Sequence, residues 1–146
     1  MKEVHIVIGA LAIGLSSIAA VYGAWLWWRA RSSAWFWRAL RAAQVVIVVQ
    51  VALGGVLELT GHKVPGLHIV YGLLPLAVSF LAEQLRVSCA QMVLDARGHE
   101  SAAAVGELPH DEQQSVVLAI LQRELGVMTL AAIVIVVLLA RAAGTA

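Results

Sequence analysis

The sequence predicts an all-α integral membrane protein, a four-helix bundle carrying an internal pseudo-two-fold repeat. Three observations carry that prediction. Hydrophobic residues make up 61% of the chain and charged residues only 13%, where soluble domains run near 45–50% and about 25%. Four apolar runs are long enough to cross a bilayer, which takes roughly 20 residues of helix. The first and third runs share a sequence pattern at a fixed offset.

The 146 residues fit a single four-span domain, 1–146. The composition excludes an ordinary soluble enzyme, a disordered chain and a nucleic-acid binder with a basic face. A formal net charge of +1 leaves no acidic or basic tail. The single cysteine, Cys89, excludes an intrachain disulfide, a CxxC redox pair and a thiolate metal cluster. No GxSxG, phosphate-binding glycine loop or HExxH occurs.

The spans fall at about 4–28, 42–60, 67–86 and 115–141. The first is too long and too weakly basic at its start for a cleaved signal peptide. The second is interrupted only by Gln44 and Gln50 before Glu58. Thr60 to Gly66 holds the Gly and Pro of a tight turn. The third ends in Glu83, Gln84 and Arg86; Glu83 is placed to pair with Arg38 or Arg41. A polar loop over about 88–114 follows, then a helix starting near Asp111, a plausible N-cap.

Arginine and lysine set the expected orientation. Arg29, Arg31, Arg38, Arg41, Arg86, Arg97 and Arg123 lie on one side, and Lys2, Lys63 and Arg141 on the other. The positive-inside rule puts both termini outside a cytoplasmic (inner) membrane. Trp25, Trp27, Trp28, Trp35 and Trp37 trace the inner interface, and the arginines there suit anionic lipid.

The repeat is His5-Ile6-Val7-Ile8-Gly9 against His68-Ile69-Val70-Tyr71-Gly72, with seven identities in fifteen positions from 5–19 against 68–82. His5, Gly9, Ala12, Ser16 and Ala19 share one helical face, as do His68, Gly72, Pro75, Ser79 and Ala82. If the halves face each other, two imidazoles point into the bundle at one depth. That is the arrangement of two axial ligands on a b-type haem. Gly9 and Gly72 would leave room for the ring, Ser16 and Ser79 would continue the slot, Tyr71 would line its edge and Lys63 would meet the propionates. The reading is therefore one haem b per chain with His5 and His68 on its iron. The competing reading makes each histidine an interfacial polar residue and each small-residue stripe a packing surface. A zinc or copper site, completed by Glu58 and His62, is a further alternative. Glu58 is also a possible hydrogen-bond partner for an imidazole.

The order of these features resembles haem A synthase. The residues are Glu3-Val4-His5 through Gly9, then Gln50-Val51-Ala52-Leu53-Gly54-Gly55, then Pro65-Gly66-Leu67-His68. They match the first three helices of one four-helix half of that family; Ile6 stands where the family has an arginine. The resemblance implies a haem-binding bundle with one haem site, and a link to haem modification or handling. The functional expectation is electron transfer, with a quinone or a redox protein as partner and a homodimer or larger respiratory complex as setting. A cofactor-free accessory or assembly subunit is the alternative. No nucleic-acid partner is expected.

Overall fold

The computed structural model describes residues 1–145 and is helical throughout, with no strand among the described residues. Its elements are α1 (Lys2–Trp28), α2 (Ala34–Leu59), α3 (Gly66–Ala96), α4 (Ala102–Gly106) and α5 (His110–Ala143). Four of them, α1, α2, α3 and α5, are long and apolar enough to cross a membrane. They run up, down, up, down. The first residues of α1 and α3 and the last of α2 and α5 therefore meet at one end, called here the histidine end. The opposite, tryptophan end gathers Trp25, Trp27, Trp28, Trp35 and Trp37 as expected.

Helix ends are set by local backbone chemistry. Ala30, Gly61 and Gly98 each adopt positive φ, at 50°, 90° and 73°. Each follows a helix whose last carbonyls accept from the two residues that leave it, as in Leu26 O from Arg31 N and Leu57 O from His62 N. This reversal normally calls for glycine, because a Cβ crowds the backbone at positive φ. Ala30 is the one alanine asked to make it.

The helices are longer than the apolar runs. Helix α2 begins at Ala34 rather than 42, capped by Ser33 Oγ accepting from Trp35 N, so Arg38 and Arg41 lie on the helix. The polar stretch 88–114 is not an open loop. Helix α3 runs on to Ala96, α4 occupies Ala102–Gly106, and α5 starts at His110 with Pro109, not Asp111, at its N-cap. Charge ended the apolar run, but the helical period continued. Val93, Leu94, Val105 and Val116 close a small apolar cluster of their own. At 31 residues, α3 is about 46 Å long, well beyond the roughly 30 Å of a hydrocarbon core.

Helix α5 packs along both α1 and α3, α1 also packs on α2, and α2 meets α3 over a much shorter seam. The ring order is α1, α2, α3, α5, which puts α1 and α3 on a diagonal. Gly23 against Phe36, Gly9 against Gln50 and His5 against Gly54 fix the α1–α2 register. The main core lies toward the tryptophan end and includes Ala19, Leu26, Phe36, Leu40, Ala82, Leu125 and Met128. A second cluster of Ala12, Ile47, Ile135 and Leu139 lies nearer the histidine end.

Both small-residue stripes turn inward: Ala12, Ser16 and Ala19 are buried on α1, and Pro75, Ser79 and Ala82 on α3. They do not pack on each other along their length. Helix α5 packs on both helices instead, so the expectation of directly facing stripes applies only where the two histidines approach.

Candidate functional site: two histidines on diagonal helices

Helix periodicity brings His5 in the first turn of α1 and His68 in the first turn of α3 to the same end of the bundle. Their ring centroids are 6.1 Å apart and the planes are inclined by 60°. Both are half-buried.

His68 Nδ1 lies 2.9 Å from the carbonyl oxygen of Ala142, in the last turn of α5. A carbonyl can only accept, so Nδ1 carries the proton and Nε2 presents a lone pair. This backbone oxygen takes the place considered for Glu58, which is exposed. His5 is held differently. Its Nε2 is 3.2 Å from the Gln50 side-chain nitrogen. A neutral imidazole has one donor and one acceptor, and the amide nitrogen only donates, so His5 accepts at Nε2 and holds its proton on Nδ1. His5 Nδ1 and Gln50 Oε1 are both buried without a partner; the only other such side-chain atoms among the described residues are Ser16 Oγ and Thr129 Oγ1.

The glycines of this region differ in their surroundings. A Cβ on Gly9 would stand 2.9 Å from Gln50 Nε2, and one on Gly54 would stand 3.2 Å from His5 Cε1. Gly9 and Gly54 are thus needed for the close approach of α1 and α2. Gly55 and Gly72 face open space. Of the slot residues expected from sequence, Gly72 is open and the space beside Gly9 is taken by the Gln50 amide. Ser79 Oγ is bonded to Pro75 O at 2.8 Å, while Ser16 Oγ is buried and unbonded. Tyr71 lies under the Arg141 guanidinium, 5.6 Å from it. Lys63 is exposed in the turn between α2 and α3, at the same end of the bundle as Arg141.

Two imidazoles can share one metal ion. A metal–nitrogen bond of about 2 Å on each side, plus about 1 Å from nitrogen to ring centre, places the centroids of two opposed ligands roughly 6 Å apart. Among the described residues no group of three or more His, Cys, Asp or Glu side chains gathers as a metal site. His62 and Glu58 do not complete a set, and this disfavours tetrahedral zinc.

A different polar cluster forms at the tryptophan end. Arg41 reaches across from α2 to Glu83 on α3, with Nη2 to Oε2 at 3.2 Å, and Gln44 donates to Glu83 Oε1 at 3.0 Å. Arg86 Nε donates to Glu83 at 2.9 Å, and its Nη1 lies 3.7 Å from Glu124 on α5. Arg41 is thus the partner of Glu83. Arg38 instead stacks on Trp35, 5.0 Å from the ring centre. Cys89 is buried with Sγ against Leu85 O.

The sequence brought His5 and His68 forward as a pair, and Gln50 only as a polar interruption of the second span and the first residue of the run Gln50–Gly55. The contact of Gln50 with His5 follows from the α1–α2 register, which was not read from the sequence. Ala142 was missed altogether, because a backbone carbonyl leaves no residue-type signal. Comparison with known families, curated proteins and solved structures finds no match to this chain.

Proposed function

We propose that the chain is a multi-pass membrane protein that binds one haem b through His5 and His68 and acts as a one-electron carrier. The observation that carries this reading is the imidazole pair: centroids 6.1 Å apart on diagonal helices, with the Nδ1 proton of His68 given to a backbone carbonyl. Metal-bound histidines hand the other ring nitrogen's proton to such an acceptor, which fixes the tautomer and leaves Nε2 for the metal. Haem bound here supplies reversible one-electron chemistry. The protein's residues supply the two axial nitrogens, an open flank at Gly72, and cations at Lys63 and Arg141 for the propionates.

The arginine bias and the tryptophan cluster support an orientation with the tryptophan end in the cytoplasm and both termini outside. The haem then lies near the outer face. One haem at one face does not span a bilayer, so the reading includes a redox partner there, a quinol or a redox protein. It also allows a homodimer or a larger respiratory complex.

One observation favours a second reading. The Gln50 amide occupies the space beside Gly9 and caps His5 Nε2, as in a cofactor-free accessory subunit whose polar side chains tie helices together. Purification in detergent after haem-supplemented expression separates the two. A Soret band that is lost in His5→Ala and in His68→Ala, and kept in the variant His99→Ala in the connection between α3 and α4, is expected. A colourless wild-type protein, or three variants with the wild-type spectrum, overturns the haem reading. Chemical identification of the extracted cofactor distinguishes an electron carrier from a protein that modifies haem, the activity suggested by the resemblance to haem A synthase.

A further inference from the structure

We infer that the groove between α3 and α5, in the tryptophan-end half of the bundle, holds an acyl chain of an anionic phospholipid, with Arg123 on the headgroup phosphate. The inference stands apart from the haem reading and concerns the opposite end of the molecule.

The groove has a volume of about 270 Å³ and is lined by apolar side chains alone. Ala82 and Ala131 form its floor, packed on the main core. Leu81 and Leu85 on α3 and Leu130 and Val134 on α5 stand along it as exposed walls. Two alanines between four larger side chains leave the furrow open. On α5 it runs from Val127 to Val134. At about 1.5 Å per residue it is about 10 Å long, which fits inside one leaflet, roughly 15 Å of hydrocarbon. A spanning helix of a second copy would need a furrow through the whole depth; an acyl chain does not.

Lipid tails are as apolar as the groove, so filling it gains packing contacts rather than dehydration. Selection among lipids then falls to the headgroup. Arg123, Val127, Leu130 and Val134 recur at spacings that share one face of α5. Arg123 is exposed, one turn beyond Val127, and stands at the mouth of the groove. Its depth suits a phosphate: nearby Gly126 packs against the Trp27 ring, and tryptophans mark the headgroup level. Its charge is uncompensated. The adjacent Glu124 pairs with Arg86 instead, and Arg123 enters no ion pair among the described residues. A guanidinium offers a planar fork that matches phosphate oxygens. Arg29 and Arg31 are at the same end but lie on neither helix of the groove.

The test is native mass spectrometry of the purified protein in detergent, titrated with phosphatidylglycerol or with phosphatidylcholine of the same chains. The wild type is expected to hold one phosphatidylglycerol about fivefold more tightly than phosphatidylcholine, the effect of one arginine on an anionic headgroup. Arg123→Gln is expected to abolish that preference and Arg123→Lys to keep it. Arg31→Gln, exposed at the same end, is expected to leave it unchanged. Ala131→Leu fills the groove and is expected to weaken both lipids about threefold through lost contacts. If it does not fold, Ala131→Val carries the same test. Equal affinity of the wild type for the two lipids, a preference that survives Arg123→Gln, or unchanged binding in the folded groove variant overturns the inference. A dimer in detergent that Ala131→Leu disrupts overturns it too, and gives the groove to a second copy of the chain.

Discussion

The two ends of the bundle treat most of their polar groups in opposite ways, although Thr129 Oγ1, beside Gly23 and Phe36, is buried without a partner in the tryptophan-end half. At the tryptophan end Glu83 is bonded by Arg41, Gln44 and Arg86, and Arg86 reaches on to Glu124, so three helices are joined through two carboxylates and the guanidinium between them. The packing beside it is close: a Cβ on Gly126 would stand 3.0 Å from the Trp27 ring. At the histidine end His5 Nδ1 and Gln50 Oε1 are buried without partners, and Gly55 and Gly72 face open space. Native proteins pair nearly all buried polar groups, so the two unpaired atoms of His5 and Gln50 stand out against the fully bonded carboxylate of Glu83. The lesson is that the charged cluster, the most conspicuous polar feature, is a fastening, and the quieter histidine pair is the candidate site.

The largest effect that would test this contrast belongs to Gly23. Its Cβ would collide with Thr129 Oγ1 and lie 2.6 Å from Phe36 Cε2. Phe36 is fully buried and cannot give way. Gly23→Val is expected to cost about 3 kcal/mol, the upper range for overpacking, read as a lower thermal midpoint in detergent. A midpoint equal to wild type would mean that the tryptophan end is not the rigid half.

Removal of the fastening comes next. Glu83→Ala leaves Arg41 and Arg86 without their shared acceptor. Hydrogen bonds to charged groups are each worth more than neutral ones, but the Glu83 side chain is 24% exposed and Arg41 is 48% exposed, so solvent screens part of the interaction. A loss of about 2 kcal/mol is expected. The α2–α3 seam is short and its side-chain hydrogen bonds all converge on Glu83, so α2 should loosen from α3 first. Faster hydrogen exchange in α2 than in α1 and α5 would mark that order, and uniform exchange would contradict it.

These two variants probe features of unequal visibility in the sequence. The four apolar helices were legible, because hydropathy and length alone identify them. The turn at Gly61 was legible from its Gly and Pro, whereas the turn at Ala30 carried no such mark and is made by an alanine at positive φ. The extension of α3 to Ala96 was hidden by its charges. Asp95, Arg97 and Glu100 read as loop, yet Val93 and Leu94 find Val105 and Val116 only after the chain folds back. At the site, the matched depth of His5 and His68 followed from the repeat. The backbone acceptor at Ala142 and the overlap of Gln50 with Gly9 depended on helix register, which residue types do not encode. Arg41 rather than Arg38 meets Glu83 because α2 begins eight residues earlier than the apolar run, and the helical phase then selects between them.

The smallest stability effect carries the sharpest test of the histidine end. Gly72 lies one turn below His68 on the inward stripe, yet no atom outside its own helix lies within 4 Å of the position a Cβ would take. Gly72→Leu should therefore leave the stability of the cofactor-free protein within about 0.5 kcal/mol of wild type, as for substitutions that meet no neighbour. If that volume is the slot for a flat ligand, the same side chain fills it, and haem occupancy after reconstitution should fall at least tenfold. Gly55→Leu, on α2 and equally open but off the two stripes, is expected to change neither quantity. Unchanged stability with lost occupancy at 72 alone would tie the open volume to the ligand. Full occupancy in Gly72→Leu would mean that the opening beside His68 is lipid-facing surface, and that the ligand, if bound, approaches the imidazoles from the α2 side through the space now held by Gln50.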